Sequence, residues 1–388
     1  MNILFLSNGH GEDLNASLVV ESLQKQYPDL SLAAMPLVGL GNAYKRLGLA
    51  LLGPTQNLPS GGIIYTSPFN WLKDIAAGLI RLTIQQIQTI LAHRHDFNLV
   101  VAVGDIVPIA FAYITGKPFV AFIVSTSSYY EGTIRLPLIT EYCLRSLRCQ
   151  KIFTRDKFTA QDLQQKGIKK AVFAGYPIMD ILEPQGKNLK LDPNRSMIAL
   201  LPGSRVPEAI NNLGKQLQIC EVISEQENCL FCAALVPSIT EKNLAALAQQ
   251  LNWQYLGSGQ LLKHHCRVHC HWDAFSDILQ QCHLAIGMAG TAVEQAVGLG
   301  KPVVQIPGDG PQFTYAFAEA QMRLLGSSVI TISKNPGENT LFSEAANRII
   351  AILRDKNYLA LCQQNGLERV GLAGGSAAIA AQIRDLLS

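Results

Sequence analysis

The sequence predicts an α/β protein built from two doubly wound parallel sheets. Short apolar runs alternate with helical patterns along the chain, as expected of repeated βαβ units. The run Leu99–Val103 is entirely apolar, which is typical of a parallel strand covered on both faces. The alternation stops once, at Glu183–Ser196, and then starts again. Together these features predict two sheets of the same kind in one chain.

The composition supports two folded domains. The chain has 388 residues, of which 48% are hydrophobic and 16% are charged, whereas typical globular proteins have about 25% charged residues. This balance excludes intrinsic disorder, and the length allows two domains of about 100–200 residues each. The net charge of +3, from 32 Lys+Arg and 29 Asp+Glu, is too small to indicate a nucleic-acid partner.

The cysteines and the apolar runs predict a cytoplasmic protein. The nine cysteines are spread along the chain, and this odd number indicates free thiols in a reducing compartment. The apolar run Ile3–Leu6 is too short for a signal peptide. The longer stretch Leu99–Val124 contains charges and prolines, so we expect two strands and a helix there and no transmembrane span.

The first domain is predicted to cover residues 1–182. It opens with the strand Asn2–Leu6, the glycine-containing loop Ser7–Asp13 and the helix Leu14–Gln26. The elements that follow are predicted in this order: strand Leu30–Met35, helix Ile75–His93, strands Leu99–Val103, Phe119–Val124 and Lys151–Thr154, helix Asp156–Lys166 and strand Val172–Ala174.

A polar segment separates the two halves. Glu183–Ser196 contains two prolines, a glycine and few large apolar side chains, so we interpret residues 183–196 as a linker. The second domain is predicted to cover residues 197–370. Residues 371–388 are predicted to form a C-terminal segment with the helix Ser376–Leu387, which can pack on the first domain. We expect the carboxyl ends of the two sheets to face a central cleft, where open α/β folds bind ligands.

The alternation of the second domain follows the same rules. Its elements are predicted in this order: strand Met197–Leu201, helix Glu208–Glu225, strand Leu230–Leu235, helix Glu241–Gln250, strand Arg267–His271, helix Ala274–Gln281, strand Leu284–Ile286, helix Thr291–Gly298, strand Pro302–Ile306 and helices Phe313–Leu325 and Ser343–Asp355.

The loop after the first strand carries three titratable groups. His10, Glu12 and Asp13 stand close together among glycines that allow a ligand to approach the backbone. The alternative is a simple turn in which Asp13 is the N-cap of the next helix. Asp105 follows the apolar strand Leu99–Val103. Because it projects from the carboxyl end of that strand, we expect it to meet the first loop.

Two loops of the second domain suit a diphosphate. Leu201–Arg205 joins a strand to a helix, so backbone N–H groups around Gly203 and Ser204 and the Arg205 guanidinium can bind an anion. Its alternative is an ordinary capped turn. Gly287–Glu294 opens another helix, where Gly290 and Thr291 admit a phosphate.

Two further residues complete this donor-binding set. Glu294 lies one helical turn after Gly290, where it can accept both hydroxyls of a ribose; the alternative is a first-turn carboxylate that only stabilises the helix dipole. Gln312 opens a later helix and is expected at the cleft.

We predict neither a metal site nor a cofactor. Cys229 and Cys232 are three residues apart in a strand pattern, so they face opposite sides and cannot chelate one ion. The cluster His264–His271 matches no known ligand spacing. We interpret these residues as buried thiols and surface histidines.

Taken together, these motifs resemble the GT-B glycosyltransferases. The opening strand, glycine loop and helix, Leu201–Arg205 followed by Glu208, and the run Gly287–Pro307 carry the resemblance. Within that group the chain is most similar to lipid-A-disaccharide synthase and its cyanobacterial relatives, since Gly175–Asp180 is similar to that family's Gly-His-Pro-Leu-x-Asp.

The resemblance implies an inverting glycosyltransferase that moves a sugar from a nucleotide-diphosphate sugar, expected to be a UDP-sugar, to a lipid or lipid-linked acceptor. The donor residues would be Gly203, Ser204, Arg205, Gly290, Thr291, Glu294 and Gln312. Inversion needs a general base, and the candidates are His10, Glu12, Asp13 and Asp105. Two alternatives remain open, a UDP-sugar 2-epimerase of the same fold and a non-catalytic nucleotide-sugar-binding protein.

Three segments predict peripheral association with the inner face of a membrane. Leu37–Leu52, Phe69–His93 and Ile134–Lys151 combine apolar or aromatic residues with Lys or Arg, as interfacial segments do. The alternative is that all three are core. The sequence does not specify the sugar, the acceptor or the oligomeric state.

Overall fold

The computed structural model describes residues 1–56, 78–189, 192, 194–308, 314–332 and 338–387. The chain divides into two compact units. The first comprises Met1–Asp180 together with Ala373–Ser388, and the second comprises Ile181–Leu372. None of the described helices is long and apolar enough to cross a membrane.

The first unit contains a seven-stranded parallel sheet. Its strands are β1 Asn2–Ser7, β2 Ser31–Pro36, β3 Ala50–Leu51, β4 Leu99–Gly104, β5 Phe119–Ile123, β6 Cys149–Thr154 and β7 Ala171–Val172. Their order is β3-β2-β1-β4-β5-β6-β7. Every residue of β4 and β5 is buried, as a parallel sheet covered by helices on both faces requires.

Seven α-helices accompany this sheet within the described residues. They are α1 His10–Gln26, α2 Asn42–Arg46, α3 Leu79–His93, α4 Ile106–Ile114, α5 Leu138–Arg145 and α6 Lys157–Gln165, with the C-terminal helix α14 Gly375–Asp385. Asp156 is the N-cap of α6, where its side chain accepts a hydrogen bond from the N–H of Thr159. Helix α4 is the helix expected between the strands within Leu99–Val124. The short helices α2 and α5 and the strand β3 were not predicted from the sequence.

The second unit contains an eight-stranded mixed sheet. Its strands are β8 Met197–Leu201, β9 Leu230–Ala234, β10 Gln254–Tyr255, β11 Gln260–Lys263, β12 Cys266–His271, β13 Leu284–Gly287, β14 Val303–Gln305 and β15 Val329–Thr331. Their order is β10-β11-β12-β9-β8-β13-β14-β15. The pairs β10–β11 and β11–β12 are antiparallel, and the remaining pairs are parallel.

The helices of the second unit occupy most of the predicted positions. They are α7 Glu208–Ser224, α8 Glu241–Gln250, α9 Phe275–Gln281, α10 Thr291–Gly298, α11 Tyr315–Leu325, α12 Glu338–Arg354 and α13 Lys356–Arg369. Helix α11 begins after its N-cap Thr314, whose side chain accepts from the N–H of Phe317. Helix α13 was not predicted.

The helix after β1 begins earlier than the sequence indicated. Helix α1 starts at His10, after Gly9 as N-cap, so the three titratable groups lie in its first turn and not in a loop. The alternative of Asp13 as N-cap is wrong. Its N–H donates to the Gly9 carbonyl over 2.8 Å as part of the helix, and its carboxylate turns back toward Ser7.

The segment interpreted as a linker is held by the second unit. The carboxylate of Asp277, which is buried, accepts hydrogen bonds from the backbone N–H groups of Gln185, Gly186 and Lys187 over 2.9–3.2 Å. A carboxylate with several charge-assisted hydrogen bonds is a strong anchor, so these residues have a defined path.

The C-terminal helix belongs to the first unit because Asp180 holds its start. The Asp180 carboxylate accepts from the N–H groups of Gly374 and Ser376 and from the Ser376 hydroxyl. Helix α14 then packs against α1. Gly175 and Gly375 cross here so closely that a Cβ on Gly375 would lie 2.7 Å from backbone atoms of residues 175 and 176.

We expect Asp180→Ala to lower the free energy of unfolding by about 1–2 kcal/mol, the usual cost of removing a helix N-terminal cap. Urea denaturation measures this loss. Asp385→Ala is the matched control, since Asp385 is an exposed carboxylate at the other end of the same helix. Equal denaturation midpoints for the two variants would contradict the capping role.

Candidate functional site

In each sheet, the candidate residues follow the two strands at which the strand order reverses. In the first unit the chain runs from β1 outward to β2 and β3, then returns to β4 on the other side of β1. In the second unit β8 and β13 have the same relation. Ligands of open α/β sheets bind at such switch points, outside the carboxyl ends of the strands.

The structure brings Asp105 to the start of α1. The Asn8 side-chain amide donates to Asp105 Oδ1 over 2.7 Å, and the same oxygen caps α4 by accepting from the N–H of Val107 over 2.9 Å. Gly104 makes this approach possible. It has φ +136, and a Cβ there would lie 2.3 Å from Asn8 Oδ1, so only glycine fits.

Glu12 is the half-buried carboxylate of this cluster. The hydroxyl of Ser125, which follows β5, donates to Glu12 Oε1 over 2.7 Å. Burial raises the pKa of Glu12 above its usual value and the charge of Asp105 adds to this, while the Ser125 hydrogen bond and His10 oppose it. His10 itself is exposed. A carboxylate whose pKa is raised by burial is a common feature of functional sites.

Asp13 points in the opposite direction, into the core. Its Oδ1 accepts from the Ser7 hydroxyl over 2.5 Å, and Ser7 Oγ lies 2.6 Å from the hydroxyl of Tyr44. Tyr44 is completely buried and Asp13 is 3% exposed. Burial raises the pKa of Asp13 to about 7 and raises that of Tyr44 well above 10.0. Asp13 therefore connects the first turn of α1 to Ser7 at the end of β1.

The two predicted donor loops lie side by side in the second unit. Strands β8 and β13 pair in parallel, with Leu201 opposite Gly287, and the N–H of Met288 donates to the Leu201 carbonyl over 2.8 Å. Helices α7 and α10 therefore begin at neighbouring points of one sheet edge. Their free N–H groups and Arg205, which is exposed, make this edge attractive to an anion.

The glycines of the second loop differ in their surroundings. A Cβ on Gly287 would lie 2.6 Å from Val293 and 2.7 Å from Val303, so packing alone requires glycine there. A Cβ on Gly290 would meet nothing within 4 Å, and its φ of −79 is open to other residues. No packing contact within the described chain therefore requires a glycine at position 290.

Buried amides hold both loops in place. On α7, the Asn212 side chain donates to the Pro202 carbonyl over 3.1 Å and the Gln216 side chain to the Ile286 carbonyl over 3.0 Å. Gln321 donates to the Gly290 carbonyl over 3.1 Å and itself accepts from Gln305 over 2.5 Å. All four side chains are buried, so the loop carbonyls are fixed by groups that water does not reach.

The remaining donor candidates have different outcomes. Thr291 is the first residue of α10 and Glu294 lies one turn later, both half-buried. Gln312 lies outside the described residues. The described residues contain no group of three or more His, Cys, Asp or Glu that could hold a metal ion, and all nine cysteines are buried.

Sequence reasoning missed several residues of both sites. Asn8 and Ser125 each follow a predicted strand, so the strand-end rule that selected Asp105 also applies to them. Tyr44 and the four amides on α7, β14 and α11 gave no such signal, because their roles depend on contacts between distant segments.

Solved structures with this architecture include both glycosyltransferases and epimerases. The glycotransferase of kitacinnamycin has a TM-score of 0.60 at 14% identity, covering 100% of this chain and 99% of its own. UDP-GlcNAc 2-epimerase from Neisseria meningitidis, bound to UDP-GlcNAc, has 0.56 at 15%, covering 100% of both chains. The spinosyn rhamnosyltransferase SpnG with thymidine diphosphate has 0.57 at 13%, also covering 100% of both.

These similarities confirm the predicted fold. The chain has two α/β domains of the GT-B type, one on a parallel sheet and one on a mainly parallel sheet with two antiparallel strand pairs at one edge. No protein-family model matches the chain, and no curated protein matches its sequence. The narrower resemblance to lipid-A-disaccharide synthase therefore stays a prediction.

The buried Asp13 generates a test by pH. Because its folded pKa of about 7 lies above the usual value of 3.8, the folded state retains a proton that the unfolded state has lost. The parent should therefore lose stability, relative to Asp13→Asn, as pH rises from about 4 to about 7, by up to roughly 4 kcal/mol.

Urea denaturation at pH 4.5 and pH 8.5 measures this difference. Asp385→Asn is the control and should follow the parent at both values. Parallel pH dependence of the parent and Asp13→Asn would show that Asp13 does not hold this proton.

Proposed function

We propose that this protein is an inverting glycosyltransferase that uses a nucleotide-diphosphate sugar, in particular a UDP-sugar. The observation that carries the proposal is the edge formed by β8 and β13. Two helix N-termini, an exposed arginine and a glycine with open space above it follow these two paired strands, and this combination suits a diphosphate.

The donor would be held entirely by residues of the second unit. Its diphosphate would lie against Gly203, Ser204, Arg205, Gly290 and Thr291. Glu294 would accept hydrogen bonds from the ribose hydroxyls and Gln312 would contact the sugar. We propose that the negative charge of the leaving diphosphate is stabilised by Arg205 and the helix N-termini, without a metal ion or a cofactor.

The first unit would supply the general base. In the proposed reaction the base removes the proton of the acceptor hydroxyl, the oxygen attacks the anomeric carbon and the nucleoside diphosphate leaves from the opposite face. Glu12 is half-buried with a raised pKa, which favours proton uptake, and His10 is exposed beside it. Asp105 and Asp13 are also candidates, although the hydrogen bonds of Asp13 favour a supporting role.

We propose a lipid or lipid-linked acceptor and peripheral contact with the inner face of a membrane. Of the three segments that suggested this contact, Leu37–Leu52 has its residues Leu37, Tyr44 and Leu49 buried, so they are core. Residues 69–77 of the second segment lie outside the described residues. The third, Ile134–Lys151, presents large apolar side chains to solvent and supports the proposal.

A UDP-sugar 2-epimerase is the second candidate, because epimerases of this fold match the full length of the chain as well as glycosyltransferases do. The purified protein is incubated with UDP-sugars, with and without lipid extract. Release of UDP that requires the extract supports the transferase. Formation of a sugar isomer without extract indicates the epimerase, and binding without turnover indicates a non-catalytic protein.

Donor binding is expected to depend on Glu294 and Gly290. Glu294→Ala removes a hydrogen bond to a charged group, worth about 1.5–3 kcal/mol, so UDP affinity should fall about ten- to a hundredfold. Gly290→Ala fills the open space above the loop and should weaken UDP binding by a similar factor without loss of stability.

Calorimetry measures both affinities. Gly11→Ala is the matched control, because its Cβ also meets nothing within 4 Å but lies in the other unit. If Gly290→Ala and Glu294→Ala bind UDP as tightly as the parent, the donor assignment is wrong.

Turnover is expected to depend on the cluster of the first unit. Substituting the base should reduce turnover about 10²–10⁴-fold without changing UDP affinity, and Glu12→Gln, Asp105→Asn, Asp13→Asn and His10→Gln identify it. Glu21→Gln is the control, because Glu21 is half-buried on the same helix and pairs with Lys25 over 2.7 Å, away from the cluster. Near-parental turnover in all four variants would exclude this cluster as the source of the base.

Turnover is also expected to persist in EDTA. Loss of turnover in EDTA that Mg²⁺ restores would contradict the metal-free proposal.

A further inference from the structure

Helix α5 carries apolar side chains toward solvent as well as toward the core, beside the ion pair of Glu141 and Arg145. Thr140, Cys143 and Leu144 face the first unit and are buried, as expected of a helix on a sheet. The other face carries Leu138, which is 86% exposed, with Ile139 and Tyr142 at 63% and 65%. An amphipathic surface helix has polar residues at these positions, so the outward face of α5 is adapted to an apolar environment.

The apolar surface continues past the end of the helix. Leu147 is 94% exposed, and Ile114 at the end of α4 is 41% exposed. The ring of Tyr113 joins the two helices, since it lies 5.7 Å from the ring of Tyr142. Contiguous exposed apolar groups of this kind mark interaction sites. We call Ile114, Leu138, Ile139, Tyr142 and Leu147 the α5 patch.

A basic cavity adjoins the α5 patch. It has a volume of about 300 Å³ and is lined by Arg145, Gly167, Ile168, Lys169 and Lys170. Arg145 is the last residue of α5 and stands two positions before Leu147, so the helix that carries the patch also supplies one wall of the cavity.

Most of the positive charge here has no carboxylate partner. Lys170 Nζ donates to the carbonyls of Ser146 and Cys149, and Arg148 lies over the Tyr113 ring and donates to its carbonyl. Lys169 is exposed and makes no ion pair or hydrogen bond within the described part of the chain. Arg145 is the exception, since it pairs with Glu141 over 2.7 Å.

We infer that the α5 patch docks on an anionic lipid bilayer and that the adjoining cavity binds the phosphate of a lipid headgroup. Exposed leucines and a tyrosine beside uncompensated Lys and Arg match the interface, where apolar groups enter the acyl boundary and cations meet headgroups. The inference deepens the proposed action on a lipid acceptor. The reason for docking rests on that proposed function, but docking itself requires neither donor nor turnover.

The test is sedimentation of the full-length protein with vesicles, in the absence of nucleotide. Vesicles of phosphatidylcholine alone are compared with vesicles containing phosphatidylglycerol, at low and high salt. We expect binding to the anionic vesicles only, reduced by high salt. The double variants Leu138→Ser/Leu147→Ser and Lys169→Glu/Lys170→Glu should each bind the anionic vesicles at least about tenfold more weakly than the parent.

Matched controls keep the result interpretable. Leu372→Ser removes a leucine that is 69% exposed in the second unit, and Lys356→Glu reverses an exposed charge there; both should bind vesicles like the parent. The patch variants should unfold in urea at the midpoint of the parent, which shows that their first unit is folded, and their UDP affinity should be unchanged. UDP affinity tests the donor assignment separately, so its failure and that of docking are distinguishable.

Three outcomes would overturn the inference. The first is vesicle binding that does not depend on the patch: either the parent does not bind anionic vesicles, or the patch variants bind them as tightly as the parent does. The second is tight binding of inorganic phosphate by the Lys169 and Lys170 cavity without vesicle binding, which would make it a site for a free anion. The third is a concentration-dependent dimer in sedimentation velocity that Leu138→Ser/Leu147→Ser abolishes without any effect on vesicles.

Discussion

The candidate chemistry depends on one constraint of parallel sheets. Where the chain returns to the other side of its first strand, the following helices diverge, and the carboxyl ends of two adjacent strands stay open. This happens at β1 and β4 and again at β8 and β13. Each candidate residue of the described chain follows one of these four strands, so the topology places the candidate bases at the edge of one sheet and the candidate anion-binding loops at the edge of the other.

Both sites are supported by buried polar side chains that a purely apolar core would not contain. Burying an amide or hydroxyl costs free energy unless it is hydrogen-bonded. In the second unit Asn212 and Gln321 bind the carbonyls of Pro202 and Gly290 in the two loops. Gln216 binds the Ile286 carbonyl at the end of β13, and Gln305 donates to the side chain of Gln321. Within the described residues, Asn212 Oδ1 and Gln216 Oε1 are still unsatisfied. The hydrogen bonds that these amides do make hold the loops in one geometry.

The two carboxylates at the start of α1 show how environment separates similar groups. Glu12 and Asp13 are adjacent in sequence, yet one lies half-buried beside Ser125 and the other lies in the core against Ser7. Burial raises the pKa of both, but only Glu12 retains contact with solvent. Successive residues of a helix point about 100° apart, which is why one turn can hold one carboxylate in contact with solvent and the next in the core.

The sequence by itself determined the two-sheet fold, most strand positions and the loops that carry the candidate residues. Apolar periodicity and glycine placement are local properties, so Leu99–Val103 and Leu201–Arg205 are recognisable without coordinates. Only the tertiary structure showed that Asp13 faces the core, that Asp277 anchors the polar segment after residue 182, and that α5 leaves an apolar face uncovered. Those properties depend on which distant segments meet, and contacts between residues such as Ser7 and Tyr44 leave no periodic signal in the sequence.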